Sequence, residues 1–100
     1  MSTSVIRYQT KPEAADENQR LIENVFAELA STAPAGLRYS SFRLDDGVTF
    51  VHVVDGEGLA DLPAFQEFQR TFGDRVVDGP HREDATLVGS YSATPVAAAS

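Results

Sequence analysis

The sequence has no cysteine, no tryptophan and only eight basic residues against fifteen acidic ones in a chain of 100. Without cysteine there is neither a disulfide framework nor a thiolate to serve as nucleophile or metal ligand. The formal net charge is −7. The basic residues Arg7, Lys11, Arg20, Arg38, Arg43, Arg70, Arg75 and Arg82 are scattered along the chain. Binding to nucleic acid or an anionic membrane needs a concentrated cationic surface that displaces counterions, so neither is an expected partner. No apolar run approaches the ~20 residues that span a bilayer. The opening MSTSVIRYQT has no basic segment followed by an apolar stretch, so no secretory signal is expected and a cytoplasmic location is.

What is present is ordinary for a folded domain. Hydrophobic residues make up 42% and charged residues 23%, enough apolar content to build a core and too little charge for a disordered chain. The length suits one domain, expected over residues 1–93, with the small-residue stretch 94–100 expected to fray. Ser4 to Thr10, with Val5, Ile6 and Tyr8, reads as a strand that Lys11-Pro12 stops. Acidic Glu13, Asp16 and Glu17 then open a helix whose stripe is Leu21, Ile22, Val25, Phe26, Leu29 and Ala30. Pro34 and Gly36 end it. Residues Leu37 to Val54 form a hairpin around Asp45-Asp46-Gly47. Asp61 is the expected N-cap of a second helix with Pro63 in its first turn. Phe65, Phe68, Phe72 and Val76 share one face of that helix, which makes packing against the core their expected job. Asp78-Gly79-Pro80 reads as a break, and Ala85 to Ser92, with Leu87, Val88 and Tyr91, as the last strand.

The order strand, helix, strand, strand, helix, strand predicts an α+β, ferredoxin-like βαββαβ antiparallel sheet with two helices on one face. Nothing in the chain supplies a third layer for the other face. Two such sheets meeting face to face would cover it, so a homodimer forming a dimeric α+β barrel is expected.

Among residues able to do chemistry, His52 is the most informative, because it interrupts the apolar strand VTFVHVV. Histidine titrates near neutrality and is a frequent general base, although a packed sheet histidine is the commoner case. Its neighbours depend on the turn. A two-residue turn at Asp46-Gly47 gives it Phe50, Arg43, Ser41 and Tyr39 as companions on one face. A three-residue loop with a bulge gives it Phe50, Ser40, Phe42 and Leu44 instead. The first arrangement makes a polar group of Tyr39, Arg43 and His52 suited to holding and deprotonating a phenol. His81 with Glu83 and Asp84 matches no metal-ligand spacing, and Asp55-Gly56-Glu57-Gly58 lacks the ligands of a calcium loop, so no metal is expected.

Several features together resemble the antibiotic-biosynthesis monooxygenase-like family of the dimeric α+β barrels. They are the strand-to-Lys-Pro opening from Val5 to Glu17, the Leu37–Val54 hairpin, the helix FQEFQRTF and the segment LVGSY. The resemblance implies a dimer, no bound cofactor, and oxidation of a small aromatic or polyketide-type substrate by molecular oxygen. For such chemistry the strand pairing offers His52, Tyr39 and Arg43 as catalytic candidates. Tyr8, Phe50, Phe65, Phe68 and Phe72 would contact a small aromatic ligand. A non-catalytic dimeric binding module is the alternative. The pockets of such oxygenases, between sheet and helices, often use asparagine, tryptophan, tyrosine and arginine; this chain has no tryptophan, and its two asparagines, Asn18 and Asn24, both lie on the first helix.

Overall fold

A computed structural model describes residues 3–92. The anticipated order of elements holds, with β1 (Thr3–Thr10), α1 (Ala15–Thr32), β2 (Arg38–Arg43), β3 (Thr49–Asp55), α2 (Pro63–Arg70), α3 (Phe72–Arg75) and β4 (Val76–Ala85). The sheet order is β2-β3-β1-β4, with every adjacent pair antiparallel. This is the ferredoxin-like arrangement. No helix among the described residues is long and apolar enough to cross a membrane.

Alternation along the strands sorts side chains between two faces. Tyr8, Phe50 and the α1 stripe of Leu21, Ile22 and Val25 close the core beneath the helices. The opposite face carries Val5, Val51, Val53 and an exposed Phe42, with nothing among the described residues covering it. The α1 helix ends on Ala33, which adopts a left-handed conformation (φ 44°) and donates its N–H to Leu29 O. At the exit of β3, Gly56 has φ 102°, and a Cβ there would lie 2.2 Å from the Gly36 carbonyl oxygen. Only glycine fits this crossing of chains.

The hairpin pairs Ser41 with His52 and Arg43 with Phe50, the register that a two-residue turn at Asp46-Gly47 would give. The loop itself is wider. Leu44 N–H donates to Thr49 O, and Asp46 Oδ1 accepts from the N–H groups of Val48 and Thr49. The aspartate thus ties the turn to the start of β3 alongside that backbone bond.

Three expectations need correction. Asp61 is not a helix N-cap: it ends a short 3-10 turn over Leu59–Asp61, and α2 starts at Pro63 after Leu62, with no side-chain cap. The Phe-rich helix is also not continuous. It breaks at Thr71 and resumes for one turn in α3, which contains Gly73.

The last strand is Val76–Ala85 rather than Ala85–Ser92. Asp78-Gly79-Pro80 does not interrupt it, because Gly79 and Pro80 form a bulge opposite Tyr8. Asp78 there pairs with Gln9, and His81 with Arg7. Gly79 takes a positive φ of 98° where a Cβ would crowd the Arg7 carbonyl, and the bulge accommodates the N–H that proline lacks. Thr3, the first described residue, pairs with Ala85, the last residue of β4; Leu87, Val88 and Tyr91 lie beyond the strand and stand exposed. The stretch 94–100 lies outside the described residues.

Candidate functional site

Five rings stack across the helix-facing side of the sheet in the order Phe50, Tyr8, His52, Tyr39, Phe26. Successive centroids are 5.7, 5.3, 5.6 and 4.9 Å apart, with planes within 24° of parallel. Alternation and register produce the row. Phe50 is directly opposite Tyr8, while His52 is diagonal to Tyr8 and Tyr39 diagonal to His52 on neighbouring strands. Phe68 and Phe72 close over it from the helices. Phe72 meets the Tyr8 ring edge-on at 4.8 Å, and Phe68 lies 5.8 Å from His52.

A chain of hydrogen bonds runs through this apolar packing. Arg75 Nε donates to Asn18 Oδ1 at 2.9 Å, and Asn18 Nδ2 donates to the Tyr8 hydroxyl at 2.9 Å. The Tyr8 hydroxyl is 2.8 Å from His52 Nε2, and His52 Nδ1 is 2.5 Å from the Tyr39 hydroxyl. Arg75 is further held by Thr71 Oγ1 and the Phe68 carbonyl. Asn18, Arg75 and His52 are 0%, 2% and 4% exposed.

Donor and acceptor accounting gives the chain a direction. A guanidinium only donates, so it takes the Asn18 carbonyl oxygen and turns the amide NH₂ toward Tyr8. Tyr8 accepts that bond and has one hydrogen left, which goes to His52 Nε2. The neutral ring must then carry its proton on Nδ1 and donate to Tyr39. This assignment leaves the Tyr39 hydroxyl hydrogen as the free end of the chain.

The electrostatics favour the neutral forms. Burial pushes the His52 imidazole down to about 4. Burial pushes the Tyr8 phenol up to about 12, against lowering by the Asn18 bond and the Arg75 charge. Tyr39 is also raised, first by burial and then by the neighbouring Tyr8. Burial lowers Arg75, opposed by Tyr8, Glu17 and Asp74.

Tyr39, the last residue of the chain, lines a cavity of about 540 Å³ between the sheet and α2–α3. Tyr39 and His52 line one part of it, Phe65, Phe68 and Phe72 form a wall, and Arg82 stands at the β4 side. Thus His52, Tyr39, Tyr8 and the three helix phenylalanines are brought together at one place. Phe50 and Arg43 are not. Phe50 is core behind Tyr8, whereas Arg43, on the same face, donates to Asp16 Oδ1 (3.1 Å), Gln19 Oε1 (2.8 Å) and the Gly47 carbonyl, with its guanidinium over Phe50. His81 is exposed beside Asp78, and no cluster of three metal-ligating side chains occurs among the described residues.

Asn18, Arg75 and Arg82 had not been anticipated in the site. Asn18 extends the apolar stripe one turn upstream, at i−3 and i−4 from Leu21 and Ile22, which marks it as buried. Arg75 continues the Phe68, Phe72 spacing. Arg82 carries no visible signal, since the sequence pattern puts the last strand at Ala85 to Ser92, beyond it.

The sheet and site define a ferredoxin-like α+β protein with an aromatic-walled cavity over a polar chain. Solved structures share that fold widely. Rv0793 of Mycobacterium tuberculosis superposes with a TM-score of 0.71 at 14% identity, over 91% of this chain and 98% of that one. An antibiotic biosynthesis monooxygenase gives 0.70 at 17% identity, over 89% and 100%. A single-residue mutant of SnoaB, a cofactor-independent oxygenase from Streptomyces nogalater, gives 0.63 at 16%, over 89% and 94%. The chain therefore has the fold of the antibiotic biosynthesis monooxygenase-like proteins. No family model and no curated protein matches its sequence.

Proposed function

We propose that this protein is a cofactor-independent monooxygenase-like enzyme that binds a small phenolic aromatic between the phenylalanine wall and Tyr39. The observation that carries this reading is the hydrogen-bond chain from Arg75 to Tyr39, which ends on a residue lining the cavity; donor accounting leaves that hydroxyl's hydrogen free for a ligand. A hydroxyl fixed as a donor in a low-dielectric site stabilises a phenolate or enolate oxygen better than the neutral form. Tyr39 meets the substrate, and His52 acts through it, since an imidazole lowered to about 4 with both nitrogens engaged is a weak proton acceptor. The substrate proton then leaves to water at the open side of the cavity. Arg43, committed to Asp16 and Gln19, takes no part.

The anion supplies the electrons for the rest. An anthrone-type carbanion gives one electron to oxygen, and the radical pair couples to form a C–O bond, leaving a peroxide anion that takes a proton back from water at the open side. The hydroperoxide loses water to leave a carbonyl, with one oxygen atom in the product and the other in water. The names of the fold neighbours support this chemistry. Oxygen uptake on anthrone- and hydroquinone-like phenols by chelator-treated protein tests it, with Tyr39→Phe and His52→Ala alongside. Protein-dependent uptake that falls in both variants is expected; uptake no faster than without protein refutes the reading.

The low basicity of His52 also favours a second reading, a binding module in which the same chain orders a ligand without turnover. In either case a homodimer through the open sheet face is the expected assembly. Phe42, Val5, Val51 and Val53 there, together with exposed Leu87, Val88 and Tyr91, leave apolar surface that a second copy would cover.

A further inference from the structure

The cavity's charge balance runs opposite to that of the chain. The sequence carries a net charge of −7, yet no aspartate or glutamate lines the cavity and Arg82 is its sole cationic lining residue. His52 is neutral above pH of about 4. Arg82 spends one N–H on Ser4 Oγ at 2.9 Å, and none of the carboxylates among the described residues lies within ion-pair distance of it. Asp84, its neighbour on the same face of β4, pairs across the strands with Ser4 and makes no bond to it. The remaining guanidinium donors are available to a ligand.

The register sets the spacing between the two polar ends of the cavity. Ile6 pairs with His52 on one side and with Arg82 on the other, so the three share a face. Two strand spacings place the His52 and Arg82 backbones ~10 Å apart. The phenylalanine wall covers the interval between them. Such a slot suits a flat body of about two fused rings with an oxygen for Tyr39 at one end and an anionic group for Arg82 at the other.

We propose that Arg82 is the anion-recognising end of this cavity, and that its ligand is a two-ring aromatic acid carrying a phenolic oxygen. The inference rests on the cavity being the ligand site proposed above, but not on any turnover there. Arginine matches a carboxylate through paired N–H donors, and a charge-assisted pair of this kind at an exposed rim is worth about tenfold in affinity, the low end for hydrogen bonds to charged groups.

The test is a binding titration with a hydroxynaphthoic acid, hydroxyl and carboxyl on opposite rings, against its neutral carboxamide. Wild-type protein and Arg82→Gln are compared, with thermal melts to verify folding. Expected is about tenfold tighter binding of the acid by wild type, shrinking with added salt, and equal binding of acid and amide by Arg82→Gln. Equal affinities in wild type, a preference that survives Arg82→Gln, or no binding of either compound each overturn the proposal. Oxygen uptake on the same compounds separates the two ideas. A preference for the acid without uptake leaves Arg82 standing and removes the oxygenase reading, whereas uptake without a preference does the reverse.

Discussion

Substituting Asn18→Asp should reverse the hydrogen-bond chain without dismantling it. In the wild type the Asn18 amide accepts from Arg75 and donates to Tyr8. That arrangement sends the Tyr8 hydrogen to His52 Nε2 and puts the ring proton on Nδ1. The opposite direction would leave the Tyr8 hydrogen without an acceptor in a buried site. An unmade buried hydrogen bond costs about 1–3 kcal/mol, so the Nδ1–H form should exceed the other by roughly fivefold to 150-fold. A carboxylate at position 18 only accepts. It would take the Tyr8 hydrogen as well as the Arg75 bond, so Tyr8 must now accept from His52 Nε2–H and Tyr39 must donate to Nδ1. The free donor facing the cavity disappears. Long-range proton–nitrogen correlation spectra of histidine-labelled protein report which ring nitrogen is protonated. Nδ1–H in the wild type and Nε2–H in Asn18→Asp are expected, with a weaker hold on phenolic ligands in the variant. An Nε2–H ring in the wild type, or the same tautomer in both proteins, would refute the assigned direction.

His52 should also make stability depend on pH. Its folded value of about 4 lies below the ordinary 6.5, so between these values the unfolded chain binds a proton that the folded one does not. Stability then falls as pH drops from 6.5 to 4 and levels below that, by about 3 kcal/mol at roughly 1.4 kcal/mol per unit. The difference in urea stability between wild type and His52→Gln should shrink over that range; a constant difference would contradict it. Gly56→Ala sets a Cβ against the Gly36 carbonyl at a left-handed φ and should cost upward of about 2 kcal/mol in a denaturant melt. Phe42→Asp on the open sheet face should convert a dimer to monomers in light scattering while leaving the circular dichroism unchanged.

The parts of the fold that were legible were those with a strong period or punctuation. The α1 stripe, the hairpin and the proline-terminated β1 each carried a local signal. β4 did not, because Asp78-Gly79-Pro80 reads as a break unless β1 is known to lie opposite and absorb it as a bulge. LVGSY alternates like a strand but lies outside β4, and pairing is not a local property. In the site, the parity of Tyr39 and His52 was visible as one of two alternatives. A single register decides between them, since a slip by one residue reverses every face. The link through Asn18 and Arg75 joins residues 57 apart in sequence, and Tyr8 to His52 spans 44. No motif spacing encodes such contacts. Arg43 shows the converse. It shares the face of His52, as one register predicts, yet Asp16 and Gln19 on α1 hold it away from the cavity.

The most direct test of the account is the ionisation of a bound phenol. A neutral chromophoric phenol without a carboxylate isolates Tyr39 from Arg82, and its absorbance across pH gives its pKa in the cavity. If the Tyr39 hydroxyl is a fixed donor, the bound phenol should ionise about one unit lower than in water, and Tyr39→Phe should abolish the shift. A pKa raised on binding, unchanged by Tyr39→Phe, would mean that desolvation dominates and that the site does not stabilise the anion on which the proposed chemistry depends.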